Sequence, residues 1–165
     1  MGDTPNTGIV GTVPRGTPGP KLYNARQAVD VVMLCLVLGR EAGNQIRPGV
    51  EAVACSIRNR VTAGLARWGR DWEGVIEKRW QYSSVNGPAA DPNLLKYPNL
   101  SFAPWPLCLE VAEACYAGEL ADPTDGAHSY FDRSLDGNPP TWATDGEYVH
   151  TADIGDFHFF KLASL

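Results

Sequence analysis

A carboxylate at the end of an apolar helical stretch is the residue in this chain best placed to do chemistry. Glu41 closes the run Val31-Val32-Met33-Leu34-Cys35-Leu36-Val37-Leu38-Gly39-Arg40-Glu41, two residues before Gly43, which can end a helix. Helix C-termini carry partial negative charge, so a carboxylate there is repelled and holds its proton more tightly. Nearby apolar surface acts in the same direction by disfavouring the ionised form. A carboxyl group that stays protonated near neutral pH can serve as a general acid, for example towards a glycosidic oxygen. The competing reading of the same position is a solvated rim residue paired with Arg40 or Arg47.

The elements that must position Glu41 are legible around it. Asn24 followed by Gln27 has the spacing of a capping box, and the apolar pattern begins at once, which predicts a helix from Ala25 to Glu41. Gly43-Asn44 turns the chain. Pro48 suits the first turn of a second helix running to about Ala63, with Val50, Val53, Ala54, Ile57 and Val61 facing inward. Asp71 caps a short third helix, Trp72 to Lys78. From Trp80 to Phe102 the sequence is loop-like, and loops of that length inside a domain are often functional. Pro104 or Pro106 starts a fourth strong helix through Ala117, ended by Gly118. Asp122-Pro123-Thr124-Asp125-Gly126 is a turn cluster. Two strand candidates follow, His128 to Asp132 and Phe157 to Leu162, joined by a long loop rich in proline, glycine and aspartate. The fold class expected is mainly α (α+β), a helical domain with a small antiparallel β element near the C-terminus. Residues 1–21, rich in glycine, proline and threonine, read as an N-terminal arm, and residues 22–165 as one domain.

Composition narrows the partners. The net charge is −5 with no basic cluster, which argues against nucleic acid. No apolar run reaches the roughly 18 residues of a membrane span, and Ala28 to Leu38 is interrupted by Asp30. The start, Met1-Gly2-Asp3-Thr4-Pro5, has neither a basic segment nor an apolar one, so the expectation is synthesis in the cytoplasm without a visible signal peptide. Cys108 and Cys115 are separated by about 10 Å along a helix, too far to bridge each other. A Cys35–Cys55 link is one reading and buried free thiols the favoured one.

Four ordered blocks resemble the spore-cortex-lytic (SleB-like) cell wall hydrolases. The first is Gly39-Arg40-Glu41-Ala42-Gly43-Asn44 with Gly49, Val53-Ala54 and Ile57-Arg58-Asn59-Arg60-Val61, where the family has a Glu-Ala-Arg-Gly-Glu segment and a helix ending Asn-Arg-Val. The second is Trp80-Gln81-Tyr82-Ser83. The third is Asp122-Pro123-Thr124-Asp125-Gly126-Ala127 followed by Tyr130-Phe131 and Trp142, and the fourth is Ile154-Gly155-Asp156-Phe157-His158-Phe159-Phe160. The resemblance spans roughly residues 25 to 161. It implies a lysozyme-like (goose-lysozyme-like) fold that cleaves the β-1,4 bond between N-acetylmuramic acid and N-acetylglucosamine in peptidoglycan. The family's catalytic glutamate falls on Glu41, and its second glutamate falls on Gln45, where this chain departs from the pattern.

A hydrolytic muramidase needs a second carboxylate, for which Asp125, Asp132 and Asp145 are candidates. A lytic transglycosylase needs none, because the muramyl 6-hydroxyl closes on the anomeric carbon, and this outcome is favoured. Gln81, Tyr82 and Ser83 offer amide, ring and hydroxyl groups suited to N-acetyl sugars, or else form an ordinary turn. Tyr130 and Trp142 suit the lining of a sugar groove, or else the core. Asn59-Arg60 ties helix to loop. The implied partner is the peptidoglycan glycan strand, acted on by a monomer with no cofactor and no metal, in a phage endolysin released by a holin or in wall turnover or germination. Two other classes compete. One is a non-catalytic wall-binding or phage structural module. The other is a zinc wall peptidase using His128, His150 and His158 with Asp132 or Asp153, at spacings that match no familiar metal motif.

Overall fold

The computed structural model of the chain describes residues 22–86 and 103–165. The N-terminal arm at 1–21 and the loop residues 87–102 lie outside them. Helix α1 (Ala25–Glu41) starts at the expected capping box, in which Asn24 Oδ1 accepts from the Gln27 backbone and the Gln27 side chain accepts from the Asn24 backbone, each at 3.0 Å. Its buried residues Val31, Leu34, Cys35, Val37 and Leu38 recur at helical spacing and form one wall of the core. Asp30, which interrupts the apolar run, is buried on this helix between Arg26 (3.3 Å) and the Tyr116 hydroxyl (3.2 Å).

Helix α2 (Arg47–Ala63) carries proline in its first turn, where a missing N–H costs nothing, and ends at Gly64 in the left-handed region (φ 60°). Its buried face presents Val50, Val53, Ala54 and Ile57. Two short helices follow. α3 (Trp72–Ile76) is capped by Asp71, which accepts from the Gly74 N–H at 2.8 Å, and α4 (Ser83–Asn86) lies in the stretch read from sequence as loop. Helix α5 (Trp105–Tyr116) packs Cys108, Val111, Ala112 and Cys115 against α1 and α2. All four cysteines are free and buried, so the Cys35–Cys55 link is absent. Burial pushes the Cys35 thiol up to about 12 and Cys108 to about 11.

The C-terminal sheet has three antiparallel strands in the order β1-β3-β2: β1 (Ser129–Asp132), β2 (Tyr148–Ile154) and β3 (Phe157–Leu162). The loop expected between two strands therefore contains a third. Strand β2 gives little apolar signal because it is an edge strand with only Tyr148 buried, the rest being half-buried or exposed. Strand β3 is central, and its side chains alternate. Phe157 and Phe159 join the helical core, whereas Phe160 and Leu162 join a second cluster with Trp68 and Tyr148 on the outer face. A 3-10 turn at Thr141–Ala143 drops Trp142 onto that outer face, against Tyr148 (5.3 Å), Phe160 (5.5 Å) and Phe131 (6.1 Å).

Candidate active site

Glu41 is the last residue of α1 and stands half-buried where that helix meets α4 and β1. Both of its carboxyl oxygens are engaged. Ser84 of α4 donates its hydroxyl to Oε1, and Tyr130 of β1 donates its hydroxyl to Oε2 at 3.3 Å. The neighbouring Arg40 guanidinium donates to the Ser84 carbonyl, which ties α4 to the end of α1. The expected rim partner Arg47 is elsewhere, paired with Glu51 (3.2 Å) and Glu110 (2.8 Å). Burial raises the Tyr130 phenol well above its ordinary value, and the Glu41 charge adds to the effect. Tyr130 therefore keeps its proton and acts towards Glu41 as a donor.

Tyr130 also lines a cleft of about 450 Å³, within the 300–1,000 Å³ range of ligand sites, together with Arg60, Trp80, Gln81, Ser129 and Trp142. Its floor is organised by Arg60, near the end of α2. This guanidinium is 6% exposed, so its charge must be met by partners. It donates through Nε to the His128 carbonyl, through one terminal nitrogen to Gln81 Oε1 (2.8 Å) and the Tyr82 hydroxyl (3.0 Å), and through the other to Ser129 Oγ (3.5 Å). Gln81, its oxygen held by Arg60, lines the cleft.

The strand carrying Tyr130 is set by the turn before it. Asp122 accepts from the Thr124 backbone (2.8 Å) and hydroxyl (2.6 Å), the Gly126 backbone (3.0 Å) and the Asn59 amide (2.8 Å). Burial raises the Asp122 carboxyl, but hydrogen bonds from Thr124, Asn59 and Gly126 outweigh it and hold the group below its ordinary value. Asn59 donates also to the Ala127 carbonyl (2.9 Å), so the end of α2 is tied to the turn as its sequence position suggested.

Trp80 stands at the cleft 64% exposed, with the Arg79 guanidinium 4.7 Å from its ring and a backbone φ of 68°. A bulky residue in the left-handed region is uncommon, and such strain concentrates at functional sites. The three aspartates considered as second carboxylates are otherwise occupied. Asp132 caps the turn at Ser134 (2.8 Å), Asp125 pairs with Lys161 (2.9 Å), and Asp145 accepts from the Glu147 backbone (2.9 Å).

The sequence profile of the Cell Wall Hydrolase family matches residues 44–160. The chain belongs to this family. As a cell wall hydrolase it also has the expected architecture. The catalytic domain of the Bacillus cereus SleB protein superposes with a TM-score of 0.60 at 25% identity, covering 86% of this chain and 94% of that one. The catalytic domain of the germination-specific lytic transglycosylase SleB from Bacillus anthracis superposes with a TM-score of 0.61 at 25% identity, covering 87% and 100%. No curated protein sequence gives a match. The profile match begins just after Glu41, at Asn44.

The residues singled out from sequence divide in this fold. Gln81, Tyr130 and Trp142 line one cleft, with Trp142 also packed on the outer face of the sheet. Tyr82 departs from the expectation of a sugar contact, because it is 1% exposed and its hydroxyl accepts from Arg60 inside the core. Ser83 opens α4, and its side chain lies outside the described residues. Sequence reasoning gave no site role to Ser84, Arg60 or Trp80. The signal for Arg60 was a charged residue in the last turn of an apolar helix, the same kind of signal that picked out Glu41.

Proposed function

We propose that this cell wall hydrolase acts as a lytic transglycosylase on peptidoglycan, with Glu41 as its general acid and base. The observation that carries the reading is that the half-buried Glu41 carboxyl is joined to the cleft through the Tyr130 hydroxyl; the hydroxyl donors on its two oxygens favour the carboxylate, the form that takes the proton back in the second step. In this reading the protonated Glu41 gives its hydrogen to the oxygen leaving as the N-acetylglucosamine 4-hydroxyl, and the bond from that oxygen to the muramyl anomeric carbon breaks. The muramyl 6-hydroxyl then bonds to the anomeric carbon and returns its proton to Glu41. The products are a free 4-hydroxyl end and a 1,6-anhydromuramyl end, with no water consumed. Gln81 supplies an amide for the N-acetyl groups and Trp80 a ring face for the sugar. The likeness to the SleB lytic transglycosylase domain of Bacillus anthracis supports the transglycosylase outcome over hydrolysis.

The test is clearing of purified peptidoglycan, with mass analysis of the released fragments. Wild type is expected to release anhydro ends, one water lighter than hydrolytic ends. Glu41→Gln is expected to keep the fold and lose about 10²–10⁴-fold in rate. Hydrated ends would replace the transglycosylase reading by hydrolysis, and undiminished activity of Glu41→Gln would remove Glu41 from the chemistry.

A further inference from the structure

His150, Asp153 and His158 lie on the consecutive strands β2 and β3, and the sheet brings them to one point. Asp153 and His158 are direct cross-strand partners in the β2–β3 register. His150 lies three residues before Asp153, a separation that puts two side chains on opposite faces of a regular strand. The register shifts between His150 and Ala152, so that His150 pairs with Phe160 and Thr151 is the extra residue of a bulge. Thr151 donates its hydroxyl to the Phe159 carbonyl at 3.2 Å within that bulge. Bulges re-aim side chains, and this one turns His150 to the face that carries Asp153 and His158.

The three groups converge tightly. Asp153 Oδ1 is 2.7 Å from His150 Nε2 and 2.6 Å from His158 Nδ1, and the three prospective ligand atoms lie within 4.8 Å of one another. The other ring nitrogen of His158, Nε2, lies 2.8 Å from Asp136 Oδ1. That is the arrangement of a metal-ligating histidine, whose second nitrogen is held by a carboxylate that fixes its tautomer. Carboxylates accept only, so in the metal-free form His158 fills both contacts only as the imidazolium. Arg133 also approaches the cluster, 3.8 Å from Asp153 Oδ2.

We propose that His150, Asp153 and His158 form a binding site for a zinc-class divalent ion on the outer face of the sheet. Two imidazole nitrogens and one carboxylate oxygen are a zinc ligand set, and the exposure of His150 and Asp153 lets solvent complete a tetrahedron. The site lies on the face opposite Tyr130, which pairs with Phe159 rather than His158, so the ion is structural and stands apart from the glycosidic chemistry. It joins β2 to β3. Through His158 and Asp136 it also anchors the start of the segment that carries Trp142 to the cleft.

The test titrates the purified chain with Zn2+ alone, by calorimetry and by long-range proton–nitrogen spectra of the histidine rings. One equivalent is expected to bind, with metal-shifted His150 Nε2 and His158 Nδ1. His150→Ala, at an exposed position, is expected to fold normally and bind at least about tenfold more weakly, and Asp136→Asn about 10–100-fold more weakly. No uptake by the wild type, or uptake unchanged in His150→Ala, overturns the proposal. Glu41→Gln is expected to take up zinc as the wild type does, and loss of uptake in that variant would overturn the separation of the two sites. A catalytic failure and a metal-site failure are thus read independently.

Discussion

Gln45 and Asp156 lock the turn after α1 to the turn between β2 and β3. Gln45 Nε2 donates to Asp156 Oδ2 at 2.8 Å, and Gln45 Oε1 accepts from the Asp156 backbone at 3.2 Å. Gly155 makes room for the contact. It has φ 59°, and a Cβ there would come within 2.5 Å of Gln45 Oε1. Position 45 is where the resemblance set a second glutamate, and a glutamate here would oppose the Asp156 carboxylate. In this chain the uncharged amide and Asp156 form a matched pair.

Gln45→Glu is accordingly expected to destabilise the fold by about 1 kcal/mol, since one hydrogen bond is replaced by like-charge repulsion. The deficit should shrink as pH falls and the new carboxyl protonates. Thermal melts of both proteins across the acidic range check this, and a deficit independent of pH would show that repulsion is not its cause.

Trp80→Ala separates binding from folding. The ring is mostly exposed, so the melting temperature should stay close to that of wild type. Loss of a sugar platform worth about 1.4 kcal/mol would lower clearing efficiency about tenfold. Trp80→Phe should recover most of it. Clearing by Trp80→Ala at the wild-type rate would remove the ring from the substrate path.

Asp122 is a structural carboxylate with a signed pH dependence. Its folded value is held below the ordinary 3.8, so its contribution is present above that value and is lost as pH falls through the depressed folded one. Asp122→Ala leaves Thr124, Gly126 and Asn59 donors short of an acceptor and should cost about 2–3 kcal/mol at neutral pH. The gap between variant and wild type should close in acid. Denaturant melts at neutral and acidic pH measure it.

The extent to which the sequence was legible follows the range of the interactions involved. Helix α1 was readable to its ends because the capping box of Asn24 and Gln27 and the apolar stripe are local. The same holds for β3, whose bounds follow from a continuous aromatic run. Strand β2 was missed because edge pairing leaves its sequence polar.

By itself the sequence determined a mainly helical domain of the cell wall hydrolase family with Glu41 closing α1, since capping, periodicity and ordered motifs are written along the chain. Only the tertiary structure decided which side chains meet. It buried Tyr82 under Arg60, brought Ser84 and Tyr130 onto the two Glu41 oxygens, and used one extra residue at Thr151 to gather His150 with Asp153 and His158. Those contacts join positions up to 89 residues apart, and their geometry depends on strand register and helix packing, which no local pattern encodes.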